Sequence, residues 1–327
     1  MKELTAQDYI DGILNRDRIM LARAITLIES DAPRHRPLAD AVVSALLPHA
    51  GNSIRVGITG VPGGGKSTFI EAFGCRLCDL GKTVAVLAID PSSSITRGSI
   101  LGDKTRMEEL TRREGAFVRP SPSGCALGGV ARKTRESLLL CEAFGFDVVL
   151  VETVGVGQSE TTVRSMVDFF LVITIAGAGD DLQGIKKGVM ELADSLLVTK
   201  ADGDNKTRAL ATRAELENVL HYIAPVSPKW RPRALACSSL DGVGIDEVWE
   251  LLLEFQKTAR ENGLIEERRQ EQALEWMYGL LEEELWRQFS QNPRVVAEWE
   301  STRRAVFAGT LSPTAAARKL IRLGGGL

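Results

Sequence analysis

Residues 60–67 read G-V-P-G-G-G-K-S, and no other stretch of this 327-residue chain limits its fold so tightly. It fits the spacing G-x-x-x-x-G-K-[ST], follows the β-branched run I-R-V-G-I-T at 54–59, and precedes a segment with helical periodicity. A loop so bare of side chains turns backbone N–H groups inward, and the N-terminus of the next helix adds partial positive charge. The result is a cradle for phosphate oxygens. Gly60, Val61, Pro62, Gly63, Gly64, Gly65, Lys66, Ser67 and Thr68 are the expected cradle. Lys66 is placed to reach the β- and γ-phosphates, Ser67 to put its hydroxyl on a magnesium ion, and Thr68 to lie toward the α-phosphate.

The surrounding rhythm supports that reading. Apolar runs at 54–59, 84–90, 147–152, 169–175, 195–200 and 233–238 alternate with amphipathic or polar segments. Strands apolar over most of their length are buried on both faces, which predicts a doubly wound, mostly parallel α/β sheet covered by helices. Residues 1–50 read as an N-terminal helical extension, with Leu21, Ala24, Ile25 and Ile28 at helical spacing and a further segment between Pro37 and Pro48. Residues 51–260 form the α/β domain. Residues 261–327 read as a C-terminal helical arm: Ala273, Met277, Leu281, Leu285 and Phe289 recur every four residues, with Trp276 and Leu280 widening the stripe until Asn292-Pro293 stops it. A second helix carries Val295, Val296, Trp299 and Val306, and a third opens at Ser312-Pro313 and closes at Gly324. Such an arm either packs on its own domain or offers a surface for dimerisation or partner docking.

Composition narrows the partners. The chain is 44% apolar and 25% charged with a formal net charge of -3, without the basic excess of a nucleic-acid binder. Its first residues lack the apolar core of a signal peptide and no run approaches a membrane span, so a cytoplasmic protein is expected. Five cysteines without a regular framework suit a reducing compartment. Cys75 and Cys78 form a C-x-x-C inside a helical pattern and read as packing, and three scattered histidines make a zinc or nickel site unexpected.

Magnesium takes oxygen ligands, so carboxylates are expected at neighbouring strand ends. Glu152 opens E-T-V-G at the end of the run 147–152, where many P-loop proteins place Asp; Gly155 is then the N–H facing the γ-phosphate. Asp90 ends the second run and Asp103 lies in G-S-I-L-G-D at 98–103; both are further candidates for the metal. T-K-A-D at 199–202 reads the base: Asp202 accepts from the ring N–H and exocyclic amine of guanine, a pair adenine lacks, and Lys200 lays its stem along the purine. Ser238, Ser239 and Leu240 supply a loop whose backbone faces the guanine oxygen. The nucleotide is therefore GTP or GDP rather than ATP. Val156 stands where small GTPases place the glutamine that orients the attacking water, and Gln158 comes two residues later. Slow hydrolysis, accelerated when another element or a partner completes the site, is the expectation.

These segments, with D-P-S-S-S at 90–94, I-L-G-D-K-T-R-M at 100–107, R-P-S-P at 119–122, E-T-V-G-V-G-Q-S-E at 152–160 and G-D-D-L-Q-G-I-K-K-G at 179–188, closely resemble the MeaB/ArgK group of G-proteins over almost the whole chain. The resemblance implies a homodimeric GTPase, paired through its C-terminal arm, that binds methylmalonyl-CoA mutase or a related acyl-CoA mutase. Such a protein gates adenosylcobalamin loading and protects the mutase. It also implies that Lys66, Ser67, Asp90, Asp103 and Glu152 are the phosphate and metal set, that 155–160 is a second switch, and that 178–188 is a third switch whose Gln183 and Lys186 complete the site. Thr199 departs from the usual Asn, and Arg97 from a usually smaller residue. The D-x-H-x-x-G pattern of cobalamin-binding mutase domains is absent, so the chain is expected to act on a loaded partner. Two alternatives remain open at this point. One is a metallochaperone GTPase of the hydrogenase or urease maturation kind; the other is an ATP-dependent kinase of amino-acid transport.

Overall fold

The computed structural model describes residues 4–89, 107–121, 127–153, 159–176, 187–223, 225 and 227–325. The chain divides into two compact units, Met1–Gln270 and Glu271–Leu327. In the first, β1 (Ile54–Gly60), β2 (Val84–Ile89), β3 (Ala116–Ser121), β4 (Val148–Thr153), β5 (Phe169–Ile175), β6 (Ser195–Thr199) and β7 (Arg233–Ala236) form one sheet. Its order is β3-β2-β4-β1-β5-β6-β7, and every neighbouring pair is parallel. The expected doubly wound class is the observed one.

Strand β3 is not among the apolar runs seen in the sequence. It reads A-F-V-R-P-S, and Pro120 has no N–H to give a ladder. The strand lies at the sheet edge, where only one side must pair, so the proline is tolerated.

Both faces of the sheet are covered. On one, Val149 and Val151 of β4 and Phe170 and Val172 of β5 share a core with Ile13 of α1 (Ala6–Leu14), Leu21 and Ile25 of α2 (Arg18–Glu29), and Val42 and Leu46 of α3 (Arg36–Leu46). Leu21, Ala24, Ile25 and Ile28, marked by their spacing, are all buried. On the other face, Val56, Ile58, Leu150 and Phe169 meet Phe69 and Phe73 of α4 (Lys66–Asp79) and Val248, Leu252 and Phe255 of the helix Ile245–Glu261. Phe255 meets Phe169 and Trp230 edge-on at 4.9 and 5.0 Å between ring centroids. Each such side chain contributes about 1.5–3 kcal/mol when removed from water. With both faces buried, the ends of the strands are left to carry chemistry.

The helix Leu264–Gln291 ends two residues before Pro293, and Asn292 caps the next helix, Pro293–Phe307, by accepting from Arg294 N–H. Ser312 accepts from Ala315 N–H at the start of Pro313–Leu323, and Gly324 closes that helix.

Candidate nucleotide site

The loop between β1 and α4 is held in the shape a phosphate cradle needs. Gly63 and Gly65 adopt φ of +73° and +79°, in the left-handed region that costs glycine nothing. At Gly60 the limit is space as well: a Cβ there would stand 2.0 Å from the Ile173 carbonyl oxygen of β5. Gly64 N–H donates to the Val61 carbonyl at 3.0 Å and closes the turn. Pro62 and Gly63 are exposed at its crest, and Thr68 is exposed one turn into the helix.

Lys66 is buried, and its Nζ donates to the carbonyls of Gly60 and Val61 at 2.9 and 3.0 Å. Burial holds its pKa below the ordinary lysine range, against the opposing pull of Glu152 and Glu160. Ser67 Oγ donates to Glu152 Oε1 at 3.0 Å. Glu152 is buried near the end of β4, beside Ile58 of β1 and Ala88 of β2. A hydroxyl and a carboxylate therefore meet at the phosphate end of the central strands. Thr153 Oγ1 donates to Thr59 Oγ1 at 2.7 Å, tying the ends of β4 and β1 together beneath them.

At the base end, Thr199 explains its own departure from the common motif. Its hydroxyl lies 2.5 Å from the Gly64 carbonyl and 3.1 Å from that of Thr174, so it ties the T-K-A-D segment to the phosphate loop and to β5. Lys200 has φ of +57°, and its carbonyl accepts from Asn205 Nδ2 at 2.7 Å, which supports that uncommon backbone. Its stem passes over the loop, Cε lying 3.8 Å from where a Cβ on Gly65 would be. Asp202 Oδ2 accepts from Ser238 Oγ at 2.9 Å, and Ser238 Oγ accepts in turn from Asp241 N–H at 3.1 Å. Ser238 N–H is engaged with the Val243 carbonyl, so this buried residue acts on the site through its side chain. Ser239 is half-buried and Leu240 exposed beside it.

Lys66, Ser67, Glu152, Lys200, Asp202 and Ser238 thus line the ends of β1, β4, β6 and β7 with the loop between them. Asp90, Asp103, Gly155, Gln183 and Lys186 lie outside the described residues, as do Gln158 and Arg97. Three contacts are not evident in the sequence: Thr153 on Thr59, Thr199 on Gly64 and Ser238 on Asp202. Only Thr199 left a trace there, as a short hydroxyl residue in the place of an amide. Cys75 and Cys78 hold free thiols raised by burial, that of Cys75 to about 11, which suits packing rather than redox chemistry.

A parallel sheet with this loop after its central strand and a T-K-x-D segment two strands away defines a P-loop protein of the GTPase class. Known proteins agree. The family described as methylmalonyl Co-A mutase-associated GTPase MeaB matches residues 21–294. The chain is 48% identical to GTPase ArgK of Escherichia coli, covering 98% of this chain and 97% of that one. It is 42% identical to the mitochondrial methylmalonic aciduria type A homolog of Mus musculus, over 97% of this chain and 80% of the relative. A solved structure of an LAO/AO transport system kinase superposes with a TM-score of 0.79 at 42% identity, covering 98% of each chain. The chain belongs to the MeaB family of GTPases.

Proposed function

We propose that this GTPase is a G-protein chaperone for an adenosylcobalamin-dependent acyl-CoA mutase, methylmalonyl-CoA mutase or a close relative, gating cofactor loading and protecting or reactivating the mutase. The observation that carries the reading is the joint presence of the Ser67–Glu152 and Ser238–Asp202 contacts in a chain whose family is described by its association with that mutase.

In this reading Lys66 exchanges its two carbonyl partners for β- and γ-phosphate oxygens, whose negative charge offsets the burial that lowers its pKa. Residues 60–68 cradle the phosphates. Ser67 and Glu152 offer hard oxygen donors, a set that fits Mg2+, with Asp90 and Asp103 assigned to the same ion. Bound there, the ion neutralises charge developing on the phosphate oxygens. Asp202, oriented by Ser238, accepts from guanine, while Lys200 covers the purine and Ser239 and Leu240 border it. Gly155, Gln183 and Lys186 are assigned to the hydrolytic step, which stays slow until the mutase completes the site. A second copy pairs through the C-terminal arm. Among the described residues no helix is long and apolar enough to cross a membrane and the cysteines are free, in keeping with work in the cytoplasm.

The name of the kinase relative raises a second reading, ATP-dependent phosphoryl transfer. It requires ATP to compete with GTP, against which Asp202 stands. The test is co-purification with each candidate mutase, followed by GTP turnover with and without it. Acceleration by one mutase, lost in Lys66→Ala, is expected. Equal turnover alone and with every mutase would remove the chaperone assignment.

A further inference from the structure

The helix α2 buries one stripe in the core and turns a neighbouring one to a cavity. Leu21, Ala24, Ile25 and Ile28 make the core stripe, while Arg23, Thr26 and Leu27, with Ser30 just past the helix end, repeat at the three- and four-residue spacing of a second. That second stripe is one wall of a cavity of about 640 Å³. Tyr9 of α1 and Leu38 of α3 supply others, and Leu4 joins from ahead of α1. Arg34 and His35 come from the short turn Pro33–His35 between α2 and α3.

The walls divide by chemistry. Tyr9 and Leu27 are buried and Leu4 and Leu38 half-buried, so the cavity has an apolar lining. Arg23 and Arg34 are exposed, and among the described residues neither meets a hydrogen-bond or ion-pair partner. The acids of this region are committed elsewhere: Glu29 to Arg119, Asp31 to Lys133, and Asp8 to Thr5 N–H. The turn that carries Arg34 is held in place, with Ser30 Oγ accepting from Ala32 N–H at 3.3 Å and standing 2.7 Å from His35 Nδ1. A single surface arginine needs no partner, because water solvates it. Two that border one apolar cavity give it positive charge with no negative charge to match.

We propose that this cavity binds a small organic anion, an apolar body ending in an oxyanion head, with the body against Tyr9, Leu27 and Leu38 and the head taken by Arg23 and Arg34. A guanidinium presents its donors as a fork that pairs two oxygens of a phosphate or a carboxylate at once. Each methylene of the body removed from water adds to the affinity. The volume lies in the range of small-molecule sites. None of the cavity residues belongs to the nucleotide site, so the ligand is one that the chain holds in addition to GTP.

The test is calorimetric titration of the full chain with octyl phosphate, octanoate, 1-octanol and inorganic phosphate, GDP being kept in excess so that the phosphate loop is filled. The parent chain is compared with Arg23→Gln, Arg34→Gln and the two combined. Octyl phosphate and octanoate are expected to bind once per chain, each at least about tenfold more tightly than 1-octanol or inorganic phosphate. The double variant is expected to weaken both anions by about tenfold while its GTP turnover, measured separately, stays within about twofold of the parent. Each single variant is expected to lose about threefold, and these decide should the double variant not fold. Octanol bound as tightly as the two anions would leave only an apolar depression, and inorganic phosphate bound as tightly as octyl phosphate only a charged surface. Either result overturns the proposal, as do anions that ignore the substitutions or fail to bind at millimolar concentration. The GTPase reading stands or falls apart from all of these.

Discussion

Ser238 has a hydroxyl with its one proton committed: it accepts from Asp241 N–H at 3.1 Å and donates to Asp202 Oδ2 at 2.9 Å. That holds the carboxylate in one orientation, and in the proposed reading, where Asp202 accepts from guanine, it lowers the ordering cost of binding. Ser238→Ala is expected to weaken GDP binding by about 1 kcal/mol, roughly fivefold, with no change in the poor binding of ADP; competition titrations read both. A second residue sets a pH dependence unrelated to nucleotide. Burial raises the Glu136 carboxyl from its ordinary 4.5 to about 7, Asp40 adding to the rise while Arg132, Arg36 and Lys133 oppose it. The native state therefore holds this proton more tightly than the unfolded chain, and the associated stability is full below about pH 4.5 and lost as pH climbs through 7. The gap corresponds to on the order of 3 kcal/mol. Glu136→Gln is expected to raise the melting temperature at pH 8 and to leave it nearly unchanged at pH 4.5.

Among the elements, β1 is closely confined, since it sits between β4 and β5 and delivers the phosphate loop. A Cβ on Gly57 would meet Val163 at 2.7 Å, Val167 at 2.9 Å and Phe170 at 3.0 Å, so Gly57→Ala overpacks the junction of strand and helix. A loss of about 1–3 kcal/mol in urea unfolding is expected. The same strand shows what a sequence makes legible. The loop after β1 could be read because its whole chemistry lies in nine consecutive residues, and the central strands because burial on both faces writes them as apolar runs. Strand β3 could not, because an edge strand needs only one partner and tolerates Arg119 and Pro120. Ser238 on Asp202 and Thr199 on Gly64 were hidden for another reason: their partners are 36 and 135 positions away, and only the sheet order brings them together.

For the molecule as a whole, the open question is what covers the apolar residues of the helix Leu264–Gln291. Within the second unit, Trp286 packs on Phe289 and Trp299 at 5.7 and 6.3 Å, and Lys319 bridges to Glu298 at 2.7 Å, so its helices contact one another. Yet Met277, Tyr278, Leu281 and Leu285 remain 45%, 60%, 50% and 64% exposed. Met277, Leu281 and Leu285 repeat every four residues, which places them along one stripe of the helix. A stripe of that kind meets its own copy across a two-fold axis without any other adaptation, since the same residues serve on both sides. Leu281→Glu with Leu285→Glu sets four like charges at the centre of such an interface. Light scattering is expected to give a dimer for the parent chain and a monomer for the double variant, with the mutase-free GTP turnover within about twofold, because neither leucine lies on the nucleotide-bearing sheet. A parent chain that is already monomeric at micromolar concentration would reserve the stripe for a different protein.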